Sequence, residues 1–409
     1  MTSESAVSLR KLAHQQTFIL DRSFQGQGAS VAVLVKTGAR DERDDEHGIS
    51  HFLEHMVFKG TPNRSGMDLT LAFGDLGAQV NAYTSDEQTV FYGTVLKENV
   101  ERLHDLLLDM MMPSLVEEEF NMEKKVILEE IALYQDKPNY VLYERAVSDF
   151  FGEHGVGQSV LGTTESVSAI SQPQMSAYVK RRYSSPNLVV SLCGDLDADY
   201  YAELTESRSF GLPVNAVEDS PASHTQNRGR EFLFRHKKNT QAHLLGLCDG
   251  PAAKDPLRHA AMLLSSIIGD SQNSRLYWKL VDSGIAEYAS IDTEEKDGVG
   301  CWMFSSSTAP DSWEEVRDKS FEVFKGVHGH ISNDELERAR TKALSRLVMD
   351  SELPLGKAMA NALSFQYRQE IFSIRDEMEK IRAVTLSDCH AVLEKFPITS
   401  QNVYVMLPE

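Results

Sequence analysis

Apolar residues change their period repeatedly along the chain, and each change marks an element. The run ASVAVLVKT, residues 29 to 37, is rich in β-branched residues and bounded by Gly28 and Gly38, which predicts a buried strand. In HFLEHMVFKG, residues 51 to 60, Phe52, Met56 and Val57 supply an apolar side for a helix that Gly60 and Pro62 stop. Ser65 to Leu76 reads as a helix closed by Gly77. AQVNAYTS and QTVFYGTVL, separated by Ser85, Asp86 and Glu87, read as a hairpin. Helical patterns follow over 97 to 112 and 115 to 135, the second ending before Pro138. A mixed helical region then runs to Arg182, and residues 187 to 197 form a strand and turn.

Between Phe210 and Gly229 the periodicity disappears amid Pro213, Pro221 and polar residues. This predicts a first domain over 1–215, a linker over 216–230 and a second domain over 231–409. The second half repeats the order of the first. A strand pair (REFLFRH, QAHLLGLCDG) precedes a helix over 257 to 268, a helix in SRLYWKLVDSG and a hairpin in IAEYASIDTEEKDGVGCWMFSSS. Helices fill 311 to 370, one opened by a capping box of Ser332 and Glu335, and NVYVMLP ends the chain as a strand. The expected fold class is therefore α+β: two homologous α/β sandwich domains, each an antiparallel-rich sheet flanked by helices.

Composition excludes some partners. The net charge of −20 argues against nucleic acid or an anionic membrane surface. No apolar run approaches membrane-spanning length, and the polar start MTSESAVSLRKLAHQQ lacks the apolar segment of a secretory signal. Cys193, Cys248, Cys301 and Cys389 are far apart and sit in or beside apolar runs, so buried free thiols and a cytoplasmic setting are expected.

The chemistry concentrates in residues 51 to 60. His51 and His55 lie four apart on one helical face and can aim two imidazoles at one divalent metal ion. With Glu54 they form H-x-x-E-H, the inverted form of a zinc-protease motif. The matching place in the second half reads RHAAMLLSS and lacks the set. A catalytic zinc needs a third protein ligand. Glu123 and Glu130, seven apart on the 115 to 135 helix, share a face, while Glu129 points about 100° away. Spacing alone leaves these acids as ligand candidates or as a solvated acidic face.

GISHFLEHMVFKGT, LGAQVNAYTSDEQTVFY, EKKVILEEI and YSSPNLVVSLCGDLD, with GDSQNSRLYWKL in the second half, resemble the M16 zinc peptidases. The likeness is to the pitrilysin and mitochondrial-processing-peptidase type, in particular its short bacterial branch. The resemblance implies that His51, His55 and Glu130 bind Zn2+, that Glu123 orients a ligand, and that Glu54 is the general base for peptide hydrolysis. It implies that Asn81 and Ala82, on an edge strand, hold an extended peptide substrate. It also implies a two-domain chain forming one half of a clam shell. The family commonly carries an Arg and a Tyr seven apart in the second half. Here Val281 stands at the Arg place; Tyr288 matches the Tyr, or Glu287 stands there if a one-residue gap intervenes. That departure leads to the expectation of a heterodimer in which a second M16-like subunit supplies the Arg, with a homodimer as the alternative. Two rival functions share the fold: a non-catalytic scaffold subunit, and a metal-binding protein without peptidase activity.

Overall fold

The computed structural model describes residues 7 to 215 and 229 to 409. The expected linker, 216 to 230, lies outside the described residues up to position 228. The chain divides into two compact units that interleave in sequence. The first comprises Met1–Ile131, Gln158–Ser220 and Met349–Phe372; the second comprises Ala132–Gly157, Pro221–Val348 and Ser373–Glu409.

In the first unit, β1 (Val7–Lys11), β2 (Thr17–Asp21), β3 (Gly28–Val35), β4 (Gln79–Thr84), β5 (Thr89–Leu96) and β6 (Leu188–Cys193) form one sheet, ordered β1-β2-β6-β3-β5-β4. Central β3 and β6 are buried on both faces, so they read as unbroken apolar runs and not as alternating ones. Ala32 and Leu34 of β3 meet Ala358 and Ala362 of the helix Pro354–Arg368. On the opposite face, β5 bears Gly93, where an added Cβ would lie 3.0 Å from Leu103 of a second helix. β4 is an edge strand, paired with β5 from Gln79↔Thr94 to Thr84↔Thr89.

In the second unit, β7 (Glu231–His236), β8 (Ala242–Asp249), β9 (Tyr288–Glu295), β10 (Gly300–Thr308) and β11 (Asn402–Pro408) are ordered β7-β11-β8-β10-β9. With β1 set aside, this is the order of the first sheet. The directions repeat too: β2–β6 and β7–β11 are parallel, and the pairs that follow are antiparallel. The expected α+β duplication is thus present in the hydrogen-bond topology itself. A helix from the first half of the sequence, Pro138–Phe151, packs on β8 and β11 through Leu142, Ala146 and Phe150.

Some elements differ from expectation. β1 and β2 were not foreseen, because five-residue strands in a polar setting carry little periodic signal. Helices Ile374–Ala383 and Leu386–Lys395 also lie beyond the expected helical region. SRLYWKLVDSG contains a π-helical turn, Tyr277–Val281, in which Asp282 N–H donates to Tyr277 O at 2.8 Å. The wider turn buries Leu276 and Leu280 together and leaves Trp278 exposed. The capping box forms as read: Ser332 N–H donates to Glu335 at 2.9 Å, and Glu335 N–H to Ser332 Oγ at 3.2 Å.

Candidate metal centre

Helix α1 (Ile49–Val57) carries the H-x-x-E-H motif and is anchored at its first turn. Its cap, Gly48, has φ +90°, and a Cβ there would lie 2.8 Å from Leu161 O. Glu42 then satisfies two otherwise orphan donors, accepting from Gly48 N–H and Ser50 N–H at 2.8 Å each. Burial pushes the Glu42 carboxyl up to about 8. Ser50 Oγ meets the Tyr178 hydroxyl at 2.6 Å, and that hydroxyl meets Thr37 Oγ1 at 2.8 Å, tying the helix start to its neighbours.

On its apolar side α1 buries Phe52, Met56 and Val57. The Phe52 ring stacks on Phe120 with centroids 4.8 Å apart. Phe120 belongs to the long helix Glu117–Gln135, here α2, which also buries Glu123, Ile127 and Ile131. This contact sets the two helices side by side and brings Glu130 to the two imidazoles. His55 Nε2 is 3.7 Å and His51 Nε2 is 4.0 Å from Glu130 Oε2, and the three ligand atoms lie within 4.8 Å of one another. Glu129 is exposed, as the helical spacing requires.

Glu123, one face and two turns earlier on α2, meets His55 Nδ1 at 2.9 Å through Oε1. Its Oε2 accepts from Lys59 Nζ at 2.6 Å. Glu54 Oε2 accepts from Thr84 Oγ1 at 2.6 Å, linking α1 to the end of β4. Burial, with His55 adding, holds His51 down at about 4, so it is a neutral donor near pH 7. Burial also opposes charge on His55, but the Glu123 hydrogen bond and the Glu54, Glu123 and Glu130 carboxylates raise its pKa. The His55 hydrogen bond lowers Glu123, with burial opposing and Lys59 adding. Burial raises Glu54, with the Thr84 hydrogen bond opposing.

Two imidazoles and a carboxylate match the donor set of a catalytic zinc. Tetrahedral bonds of about 2.0–2.2 Å place donors roughly 3.3–3.6 Å apart, so small side-chain adjustments close the set around one ion. The residues therefore fit zinc.

Asn81 and Ala82 lie in edge strand β4, beside which α1 packs; the Asn81 side chain accepts from Ala82 N–H at 2.9 Å. Tyr288 opens edge strand β9 in the second unit. Val281 ends the π turn and packs against that unit's apolar core. In the second unit's helix Arg258–Gly269, the counterpart of α1, His259 pairs with Glu377 at 2.8 Å and Arg258 with Glu377 at 2.9 Å. A charge network occupies the place of a metal set. Sequence reasoning passed over Lys59 and Thr84. Lys59 was signalled by its place four residues after His55, and Thr84 by sharing the strand face of Ala82.

Residues 17–164 match the family described as Insulinase (Peptidase family M16), and residues 169–343 match the Peptidase M16 inactive domain. An uncharacterized zinc protease of Rickettsia felis is 30% identical over 79% of this chain and 78% of its own length. A protease from Helicobacter pylori superposes with a TM-score of 0.90 over 98% of this chain and 99% of its own, at 20% identity. A chain of Complex III2 from Candida albicans reaches 0.84 over 98% and 95%, at 16% identity. These last two likenesses show the fold. The two matched domains, in order, and the sequence relative aligned over most of both chains show that this chain belongs to peptidase family M16.

Proposed function

We propose that this chain is a zinc-dependent endopeptidase that hydrolyses extended, unfolded peptides. The observation that carries the reading is the convergence of His51, His55 and Glu130 beside a half-buried Glu54 that reaches the edge strand. When bound, zinc supplies Lewis acidity that brings the pKa of water toward about 7 and polarises a peptide carbonyl. His51, His55 and Glu130 hold the ion, and Glu123 orients the His55 ring by accepting its Nδ1–H. Thr84 donates to Glu54 Oε2, and the Glu54 carboxylate takes the proton of the attacking water. As the C–N bond breaks, Glu54 passes that proton to the leaving amine. The free edge of β4 lets a peptide add as a further strand, with Asn81 and Ala82 holding its backbone.

The substrate side is completed, in this reading, by a second M16-like subunit in a two-chain chamber. Val281 supports it: the position expected to carry a substrate-binding Arg bears an apolar side chain packed against the core, and Tyr288 stands at the head of β9. A homodimer with full activity, seen by native mass spectrometry, overturns this part. The cytoplasmic setting rests on four buried free cysteines. Among the described residues no helix is long and apolar enough to cross a membrane.

The match of residues 169–343 to an inactive domain favours a second reading, a non-catalytic subunit on the same fold. One experiment separates the two, and also tests a metal-binding role without hydrolysis. Zinc content and cleavage of a quenched peptide library are measured for wild type, Glu54→Gln and His55→Ala, with any copurifying partner. Glu54→Gln keeps zinc and loses cleavage; His55→Ala loses zinc. Cleavage that survives Glu54→Gln overturns the mechanism, and a wild type that holds zinc without cleaving overturns the enzyme.

A further inference from the structure

The Thr84 hydroxyl donates to the Glu54 carboxylate at 2.6 Å, and Thr84 is the last residue of β4. Strand alternation decides which β4 side chains face α1. Tyr83 goes to the opposite face, where it joins Tyr92, Met359, Leu363 and Phe365. Val80 lies on the Leu103 side, both flanking the Cβ direction of Gly93. Ala82 and Thr84 share the face of Val80. A slip of one residue in the β4–β5 register would present Tyr83 to Glu54 in place of Thr84. The register is held at the turn, where Gln366 Nε2 donates to Glu87 O at 3.1 Å and the Tyr367 hydroxyl donates to Gln88 Oε1 at 3.1 Å.

We propose that Thr84 is a positioning residue: its hydroxyl fixes the rotamer of the Glu54 carboxylate and ties it to the strand that receives the substrate. A peptide added to β4 is then held in register with the residue that keeps Glu54 in place. Glu54 alone is a flexible side chain with freedom about several bonds, and a base displaced by one rotamer no longer reaches the water. The hydroxyl serves because it donates to the carboxylate oxygen Oε2 from a side chain fixed on the strand. This inference rests on the reading of Glu54 as general base.

The test compares Thr84→Val, Thr84→Ser and Glu54→Gln in the full chain, with any copurifying partner, by zinc content and by kcat and KM on one quenched peptide. A hydrogen bond to a charged group corresponds to about a 10- to 100-fold effect. Thr84→Val is expected to keep its zinc, to hold KM within about twofold and to lose that factor in kcat; Thr84→Ser restores kcat to within about threefold. If Thr84→Val does not fold, Thr84→Ala, which removes the hydroxyl without adding bulk, carries the same expectations. Wild-type kcat in the Val or Ala variant, a loss confined to KM, or a folded Ser variant that recovers nothing overturns the proposal. Cleavage by Glu54→Gln overturns the general-base reading beneath it. An inactive Glu54→Gln beside a fully active Thr84→Val overturns the positioning role alone.

Discussion

Replacing Glu123 with Gln removes a charge from the centre of a chain of three groups, Lys59–Glu123–His55, and the structure says where the cost falls. The Glu123 side chain is 6% exposed, while that of Lys59 is 36% exposed and regains water when its partner is lost. An ion pair with so exposed a lysine contributes about 0–1 kcal/mol. The bond to His55 Nδ1, at 2.9 Å, is different: it sets the ring orientation and leaves Nε2 as the donor facing Glu130. Loss of such an outer partner weakens metal affinity about 10- to 100-fold, or roughly 1.4–2.7 kcal/mol. Glu123→Gln is thus expected to lower zinc affinity by that factor in a chelator-competition titration. Lys59→Met, which leaves the carboxylate in place, should lower it by less than about fivefold. An affinity for Glu123→Gln within about threefold of wild type refutes the orienting role. Equal losses in the two variants would show instead that net charge near the site, and not the His55 hydrogen bond, sets the affinity.

Two further outcomes test the scaffold. Gly48→Ala forces a Cβ into a positive φ and against Leu161 O, so it should cost at least about 1–2 kcal/mol and lower the thermal midpoint; an unchanged midpoint refutes the strain. Burial, with Arg208 adding, holds His104 down at about 3, below its ordinary value of 6.5. Its contribution is therefore present above pH 6.5 and is lost as the pH falls toward 3, up to about 5 kcal/mol in all. Urea unfolding between pH 7 and 4 should show a shallower acid loss for His104→Leu than for wild type; parallel curves refute it.

What could be read from sequence was whatever local period or fixed spacing records. The buried strand at β3, both hairpins and the repeated order of elements followed from runs and alternation, because a strand buried on both faces cannot hide its apolar side chains. The spacing of Glu123 and Glu130 put them on one helical face, but spacing does not say what that face meets. The Phe52–Phe120 stack answers this, and neither phenylalanine announces its partner in the sequence. His259 shows the same limit: RHAAMLLSS offers it no acidic neighbour, yet it pairs with Glu377, more than a hundred residues away.

The sequence by itself determined the two imidazoles four apart, the glutamate between them, the paired acids on a later helix and the doubled α+β plan. Each is a property of neighbours along the chain, set by the 3.6-residue turn or the two-residue pleat. Only the tertiary structure decided that Glu130 faces the imidazoles, that Thr84 holds Glu54, that Lys59 closes the chain through Glu123, and which helix covers which sheet. The helix Pro354–Arg368 lies on the first sheet and Pro138–Phe151 on the second, against their order in the sequence. An apolar face records that it must be buried; long-range packing alone selects the surface that buries it.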